Sequence, residues 1–145
     1  MRYETQPIQE TYALEHSFNN SELQKLRESV ETLSWYHTID LGGGIVTPGF
    51  YDHRSYLDYY GLPKDLRQRS ALDIGAASGF FTFEMEKRGA EVTAADLPTW
   101  LVHDFGPLYQ PDMDPDQAER YLHGAFQFAH KTLGSHARAA VDQYL

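Results

Sequence analysis

The sequence predicts an α/β protein built around a parallel sheet, and three observations in the middle of the chain carry this prediction. A short apolar stretch at residues 71–74 has strand character and runs into a turn bracketed by Gly75 and Gly79. Residues 80–88 then follow a helical pattern that the next glycine ends. Residues 91–97 form a second apolar strand. Strand, crossover helix and strand together make a parallel βαβ unit, which binds ligands at the carboxyl ends of its strands.

The turn after the first strand and the tip of the second carry the chemistry of this unit. Glycine at Gly75 and Gly79 lets backbone approach a ligand closely, because no Cβ intervenes. Asp96 falls at the same edge of the sheet, where a carboxylate can accept both hydroxyls of a ribose. Asp73, at the end of the first strand, repels phosphate and favours a cationic or amine-bearing group. An ordinary strand-to-helix turn with packing glycines is the alternative interpretation.

The kind of nucleotide follows from the spacing of the glycines. A dinucleotide fingerprint starting at Gly75 needs glycine two and five residues later, where the chain has Ala77 and Phe80. A phenylalanine at the last position opposes close packing of helix on strand. The turn therefore favours adenosine joined to a zwitterionic amino acid over a pyrophosphate ligand.

The chain before this unit has weaker patterns. Leucine and valine recur at helical spacing after residue 20, with Asn20 or Ser21 as the N-cap. Partial alternation predicts a strand before the triple-glycine turn, and a short helix ends at Gly61. The upstream elements are, in order, a loosely ordered polar segment over 1–19, a helix over 21–32, a strand over 35–41 and a helix over 54–60.

A long helix is the best-marked element after the unit. Residues 97–113 hold three prolines and predict a loop. Asp114 suits the N-cap, Pro115 the first helical position, and Gln117 completes a capping box. The helix continues along one apolar face to Gly134. Residues 136–145 are weakly patterned as a third strand.

These motifs resemble a known family. The pattern Asp73-x-Gly75-x-x-x-Gly79 is similar to the first motif of class I S-adenosylmethionine-dependent methyltransferases, and Asp96 resembles the acidic residue that binds ribose there. Ala77 stands at a middle position that is often glycine in that family. The segments 35–49 and 80–90 are similar to a subgroup related to tRNA wobble-uridine carboxymethyltransferases. The resemblance extends from about residue 33 to residue 134.

The resemblance implies a cofactor, a fold and a set of site residues. The cofactor is S-adenosylmethionine, and ordinary rather than carboxylated, because no Lys or Arg lies between Trp35 and Tyr51. His37 would lie over the methyl end as a general base, since histidine titrates near neutral pH. A strand histidine bonded to the backbone is the alternative, and we favour that alternative. The cofactor-binding residues that the resemblance implies are Asp73, Gly75, Ala77, Gly79, Asp96 and Leu97.

The implied fold is a partial Rossmann-like sheet. Residues 1–69 form an N-terminal extension, and residues 70–145 form the first part of the cofactor-binding domain. That family's sheet has seven strands, of which this chain supplies at most three, so we expect the C-terminal strands to be missing and the chain to be inactive alone. Self-association, or a chain that supplies the missing half, is then expected. A non-catalytic nucleoside-binding or protein-interaction module is the alternative function.

Composition limits the classes of partner. The net charge is −9, with 12 Lys and Arg against 21 Asp and Glu, which disfavours nucleic acid and leaves a small-molecule methyl acceptor. There is no cysteine, no apolar run of membrane-spanning length and no signal peptide, so we expect a cytoplasmic protein without disulfides. The pairs His103–Asp104 and His123–His130 lack further ligands at metal-binding spacing, and no metal is predicted.

Overall fold

The computed structural model describes residues 18–140. The predicted polar segment, up to residue 17, and the end of the predicted third strand, 141–145, lie outside the described residues. The helices are α1 (Asn20–Glu31), α2 (Phe80–Lys87) and α3 (Pro115–Leu133), and the strands are β1 (Ser70–Ile74), β2 (Glu91–Ala95) and β3 (Arg138–Ala140). Short 3₁₀ helices cover Arg54–Tyr60 and Trp100–Val102.

The three strands form a parallel sheet in the order β1-β2-β3. The hydroxyl of Thr82 in α2 donates to the carboxylate of Asp73 in β1 (2.6 Å), so α2 covers the face of the sheet that carries Asp73. Leu72 and Ile74, of opposite parity, lie on the other face. The predicted α/β class and parallel βαβ unit are confirmed, and the sheet is compatible with a partial Rossmann-like fold.

One hydrophobic core joins the N-terminal segment to α2 and α3. Phe83 of α2 stacks on Phe126 of α3, with ring centroids 5.5 Å apart. Trp35 belongs to the same cluster and donates its indole N–H to the carbonyl of Val30 in α1 (2.9 Å). The N-terminal segment is therefore held against the βαβ unit and α3 by buried contacts. The predicted boundary after residue 69 stays a prediction.

The predicted strand over 35–41 is wrong. The segment makes two isolated bridges, His37 with Tyr51 and Asp40 with Val46, and no strand among the described residues. The reason is that a side chain takes the place of a neighbouring strand: the N–H of Ile39 donates to the hydroxyl of Thr47 (2.8 Å). A ladder cannot extend where a backbone donor is already used in this way.

Helix ends are set by local capping chemistry. The N-cap of α1 is Asn19, which forms a capping box with Glu22, so the predicted caps Asn20 and Ser21 are wrong by one or two residues. The predicted cap of α3 is confirmed, with Asp114 and Gln117 forming a capping box.

The predicted loop over 97–113 contains one short 3₁₀ turn. Within residues 18–140, no helix is long and apolar enough to cross a membrane.

Candidate functional site

The glycine turn and Asp96 meet at the carboxyl ends of β1 and β2. One carboxylate oxygen of Asp96 accepts the N–H of Ala77 (2.7 Å), and the other accepts the N–H of Leu97 (2.8 Å). The N–H of Gly75 donates to the carbonyl of Ala95 at the end of β2 (2.8 Å). A carboxylate offers about four lone-pair positions, so Asp96 keeps acceptor capacity for a ligand. The structure thus brings the predicted turn and the predicted acid together.

Two residues of the turn have a left-handed backbone, and one of them lies in open space. Gly75 has a φ of +75°, and a Cβ there would meet nothing within 4 Å. Ala77 has a φ of +48°, a left-handed conformation that costs a non-glycine residue about 1–2 kcal/mol. The bond from the Ala77 N–H to Asp96 helps to hold that conformation. Backbone beside Gly75 is therefore open to a bound molecule.

Gly79 has a different surrounding. Its φ is +91°, and a Cβ there would lie 2.6 Å from the Phe83 ring and 2.8 Å from the Phe126 ring. The Cβ direction points into the core, so the expectation that a side chain at this position would intrude on a ligand is wrong. Gly79 is needed to pack the start of α2 on α3. A role of its backbone toward the cofactor stays a prediction.

Asp73 lies under α2. The pKa of this carboxyl is raised above its usual value, mainly by burial and to a smaller extent by the charge of Asp96, while the hydrogen bond from Thr82 partly opposes the rise. The side chain that donates to it, Thr82, is fully buried. Asp73 thus links β1 to α2 by a hydrogen bond just before the turn. Its charge adds to the negative potential of Asp96.

His37 is held beside the turn by Ser78. The hydroxyl of Ser78 accepts the backbone N–H of Tyr36 (2.8 Å) and of His37 (3.4 Å). The His37 side chain is 5% exposed, and its Nδ1 has no hydrogen-bond partner in the structure. Burial, with a smaller contribution from His53, lowers its pKa to about 4. His37 is therefore neutral at pH 7.

The residues around His37 include a pair that the sequence did not reveal. Nδ1 of His53 and the hydroxyl of Tyr60 are 2.6 Å apart and share a hydrogen bond. The rings of His37 and His53 are 5.4 Å apart, and Phe80 and Phe81 pack against both. The seven-residue spacing across a 3₁₀ helix matches no motif, so no sequence signal marks this pair.

Three cavities border the predicted site residues or the sheet, and the smallest, of about 20 Å³, includes Ala77 and Asp96 in its wall. One of about 60 Å³ includes Ala77 and Ser78 of the turn in its wall. A larger one, of about 550 Å³, includes Ser70, Glu91 and Arg138. These three residues begin their strands, so the larger cavity lies at the opposite end of the sheet from the turn. Parallel sheets place ligands at the carboxyl ends, which favours the two small cavities over this one.

The histidines considered for metal binding make backbone contacts instead. Nε2 of His123 lies 3.2 Å from the carbonyl of Pro98, and Nε2 of His130 lies 2.9 Å from the carbonyl of Ala137. Nδ1 of His103 lies 3.2 Å from the carbonyl of Trp100. Across the described part of the chain, no group of three His, Cys, Asp or Glu side chains is placed to hold a metal ion.

Comparison with known proteins gives one local similarity. No family model matches the chain. Over 55 residues the chain is 44% identical to the biotin biosynthesis bifunctional protein BioHC of Cellvibrio japonicus (strain Ueda107). The match covers 38% of this chain and 10% of that protein, so the chain spans a small part of the relative. It gives no support to the subgroup related to tRNA modification.

Proposed function

We propose that this chain carries the S-adenosylmethionine-binding part of a methyltransferase for a small-molecule acceptor. The observation that carries the proposal is the Asp96 carboxylate, bonded at 2.7 Å to the Ala77 N–H where two parallel strands end. An acid at the tip of the second strand, beside a glycine turn after the first, suits a ribose with an amino-acid extension. The similarity to a protein of biotin biosynthesis agrees with an enzyme of small-molecule metabolism.

The residues present fit this cofactor. Asp96 would accept the ribose hydroxyls with its remaining lone pairs, and the open side of Gly75 would lie along the amino-acid part. Asp73 and Asp96 together favour a cationic ligand over a phosphorylated one. When bound, the cofactor would supply an electrophilic methyl group on its sulfonium. Leu97, whose N–H is already used by Asp96, would then border the nucleoside.

We propose that His37 packs beside the site, through the Ser78 contact to its backbone, rather than acting as a base. With a pKa of about 4 it is neutral at pH 7, and its buried Nδ1 has no hydrogen-bond partner among the described residues. A base of such low basicity takes a proton poorly, since general-base catalysis works best with a pKa near the working pH. Alignment of the acceptor with the methyl group would then supply most of the rate enhancement.

Calorimetric titration tests the cofactor assignment. We expect S-adenosylmethionine and S-adenosylhomocysteine to bind and NAD not to bind. Asp96→Asn should weaken binding by about 1–3 kcal/mol, the usual scale for a hydrogen bond to a charged group. Asp40→Asn is the matched control, because that carboxylate also accepts a backbone N–H in a glycine turn, that of Gly42. Equal affinities for wild type and Asp96→Asn would contradict the assignment.

A non-catalytic nucleoside-binding module is the second candidate. It is favoured by the exposure of the apolar face of β1, where Leu72 and Ile74 are 59% and 68% exposed. Such a module would bind S-adenosylhomocysteine through Asp96 and associate with another chain through β1. Methyl transfer to added acceptors by the purified chain would rule it out.

A further inference from the structure

The cavity of about 60 Å³ beside the turn is built from four separate parts of the chain. They are the N-terminal segment, the glycine turn, the 3₁₀ helix that begins at Trp100, and α3. Ala77 belongs both to this wall and to the contact with Asp96, so the cavity adjoins the proposed ribose position. The described residues that line it are Ser34, Tyr36, Phe50, Ala77, Ser78, Trp100, Tyr121 and Leu122.

The walls are aromatic and carry no formal charge. Among the described residues that line the cavity there is no Lys, Arg, His, Asp or Glu. An anionic group there would lose its water without gaining a cationic partner. Phe50 is 79% exposed and Tyr36 50% exposed, so two large rings at this cavity remain for a ligand to cover. Flat aromatic rings pack favourably with other aromatic rings.

Ser78 supplies a directed polar contact. Its side chain is 2% exposed and its hydroxyl accepts two backbone N–H groups, from Tyr36 and His37. In the described part of the chain, no acceptor receives the proton of this hydroxyl. A buried hydroxyl normally uses its donor as well as its acceptor positions. A ligand atom in the cavity that accepts a hydrogen bond would complete the bonding of Ser78.

From these contacts we propose that the methyl acceptor binds at the mouth of this cavity, against the exposed rings of Phe50 and Tyr36, and that this acceptor is a small neutral aromatic molecule with an oxygen or nitrogen that accepts the Ser78 proton. The identification as acceptor rests on the proposed function. The neutral walls disfavour a carboxylate or phosphate at this point, and the buried hydroxyl of Ser78 selects a heteroatom over a plain hydrocarbon.

Ligand-observed saturation-transfer NMR on the full chain, with S-adenosylhomocysteine present, tests the proposal. Phenol should show saturation transfer, toluene less, and benzoate and tetramethylammonium none. Phe50→Ala should weaken phenol binding about two- to tenfold, the scale of one aromatic contact. Tyr59→Ala is the matched control, because Tyr59 is an aromatic residue 87% exposed and absent from this wall.

The outcomes separate this inference from the proposed function. Equal phenol binding by wild type and Phe50→Ala, or stronger binding of tetramethylammonium or benzoate, would overturn the cavity assignment even if S-adenosylhomocysteine binds. Absence of Asp96-dependent S-adenosylhomocysteine binding would overturn the proposed function and, with it, the acceptor role. Phenol binding that depends on Phe50, together with cofactor binding that depends on Asp96, supports both.

Discussion

His37 shows how a single residue is given unusual properties by its surroundings. Its ring is packed among Tyr36, His53, Phe80 and Phe81, and these neighbours exclude water without offering Nδ1 a partner. The charged form of an imidazole loses most from such burial, so the folded protein holds His37 neutral. The sequence could place a histidine near the turn but could not reveal this burial.

The depressed pKa of His37 predicts loss of stability in acid. The folded-state pKa is about 4 against 6.5 unfolded, so the contribution is fully present above pH 6.5 and is lost as the pH falls towards 4. The free energy of unfolding should fall by up to about 3 kcal/mol from this group. In His37→Phe the fall between pH 7 and pH 4.5, measured by urea unfolding, should be smaller. His136→Gln, at an exposed histidine, serves as control, and an equal pH profile in wild type and His37→Phe would contradict the prediction.

At the scale of elements, the turn between β1 and α2 uses two glycines for different reasons. Both have positive φ, so both would be strained by a side chain. Around Gly75 there is open space, whereas the Cβ direction of Gly79 meets the rings of Phe83 and Phe126. The first keeps a surface accessible, and the second joins the start of a helix to the core.

Alanine substitutions should separate these roles. Gly75→Ala should cost about 1 kcal/mol of stability, the strain alone, while Gly79→Ala should cost more, about 2–4 kcal/mol, because overpacking adds to the strain. Thermal unfolding of the two variants measures the difference. Equal melting temperatures, or a less stable Gly75→Ala, would show that the Gly79 contacts are readily relieved.

The elements that the sequence predicted well depend on local chemistry. The start of α3 follows from Asp114 and Gln117, which are three residues apart and bond each other's backbone. The meeting of Asp96 with the turn follows from parallel pairing. The strand expected over 35–41 failed because the side chain of Thr47, in the segment that follows the triple-glycine turn, bonds the backbone of Ile39. The contact of Ser78 with Tyr36 depends on tertiary packing, which no local pattern encodes. The bond between His53 and Tyr60 is local, but its spacing matches no motif.

At the scale of the whole molecule, the sheet is covered on one face. Asp73 of β1 bonds α2, and its paired residue in β2 is Ala94. Ala94 lines a small cavity together with Phe126 of α3. Because paired residues lie on the same face of a sheet, both helices cover that face. Leu72 and Ile74 lie on the opposite side and are more than half exposed. Among the described strands, β1 pairs with β2 alone. A free edge next to exposed apolar side chains favours pairing with another chain.

We therefore expect the purified chain to self-associate through β1. The strand contains neither Lys nor Pro, which often protect an edge, and the charge of Asp73 faces α2. Leu72→Lys should shift the protein towards monomer in light scattering coupled to gel filtration. Tyr59→Lys is the control, since it also replaces an exposed apolar residue and reduces the net negative charge equally. The charge change by itself weakens the repulsion between copies and so favours association. A shift to monomer that occurs in Leu72→Lys and not in Tyr59→Lys must therefore come from the changed β1 surface. A wild-type chain that is monomeric at every concentration, or an equal shift in both variants, would show that β1 does not mediate association.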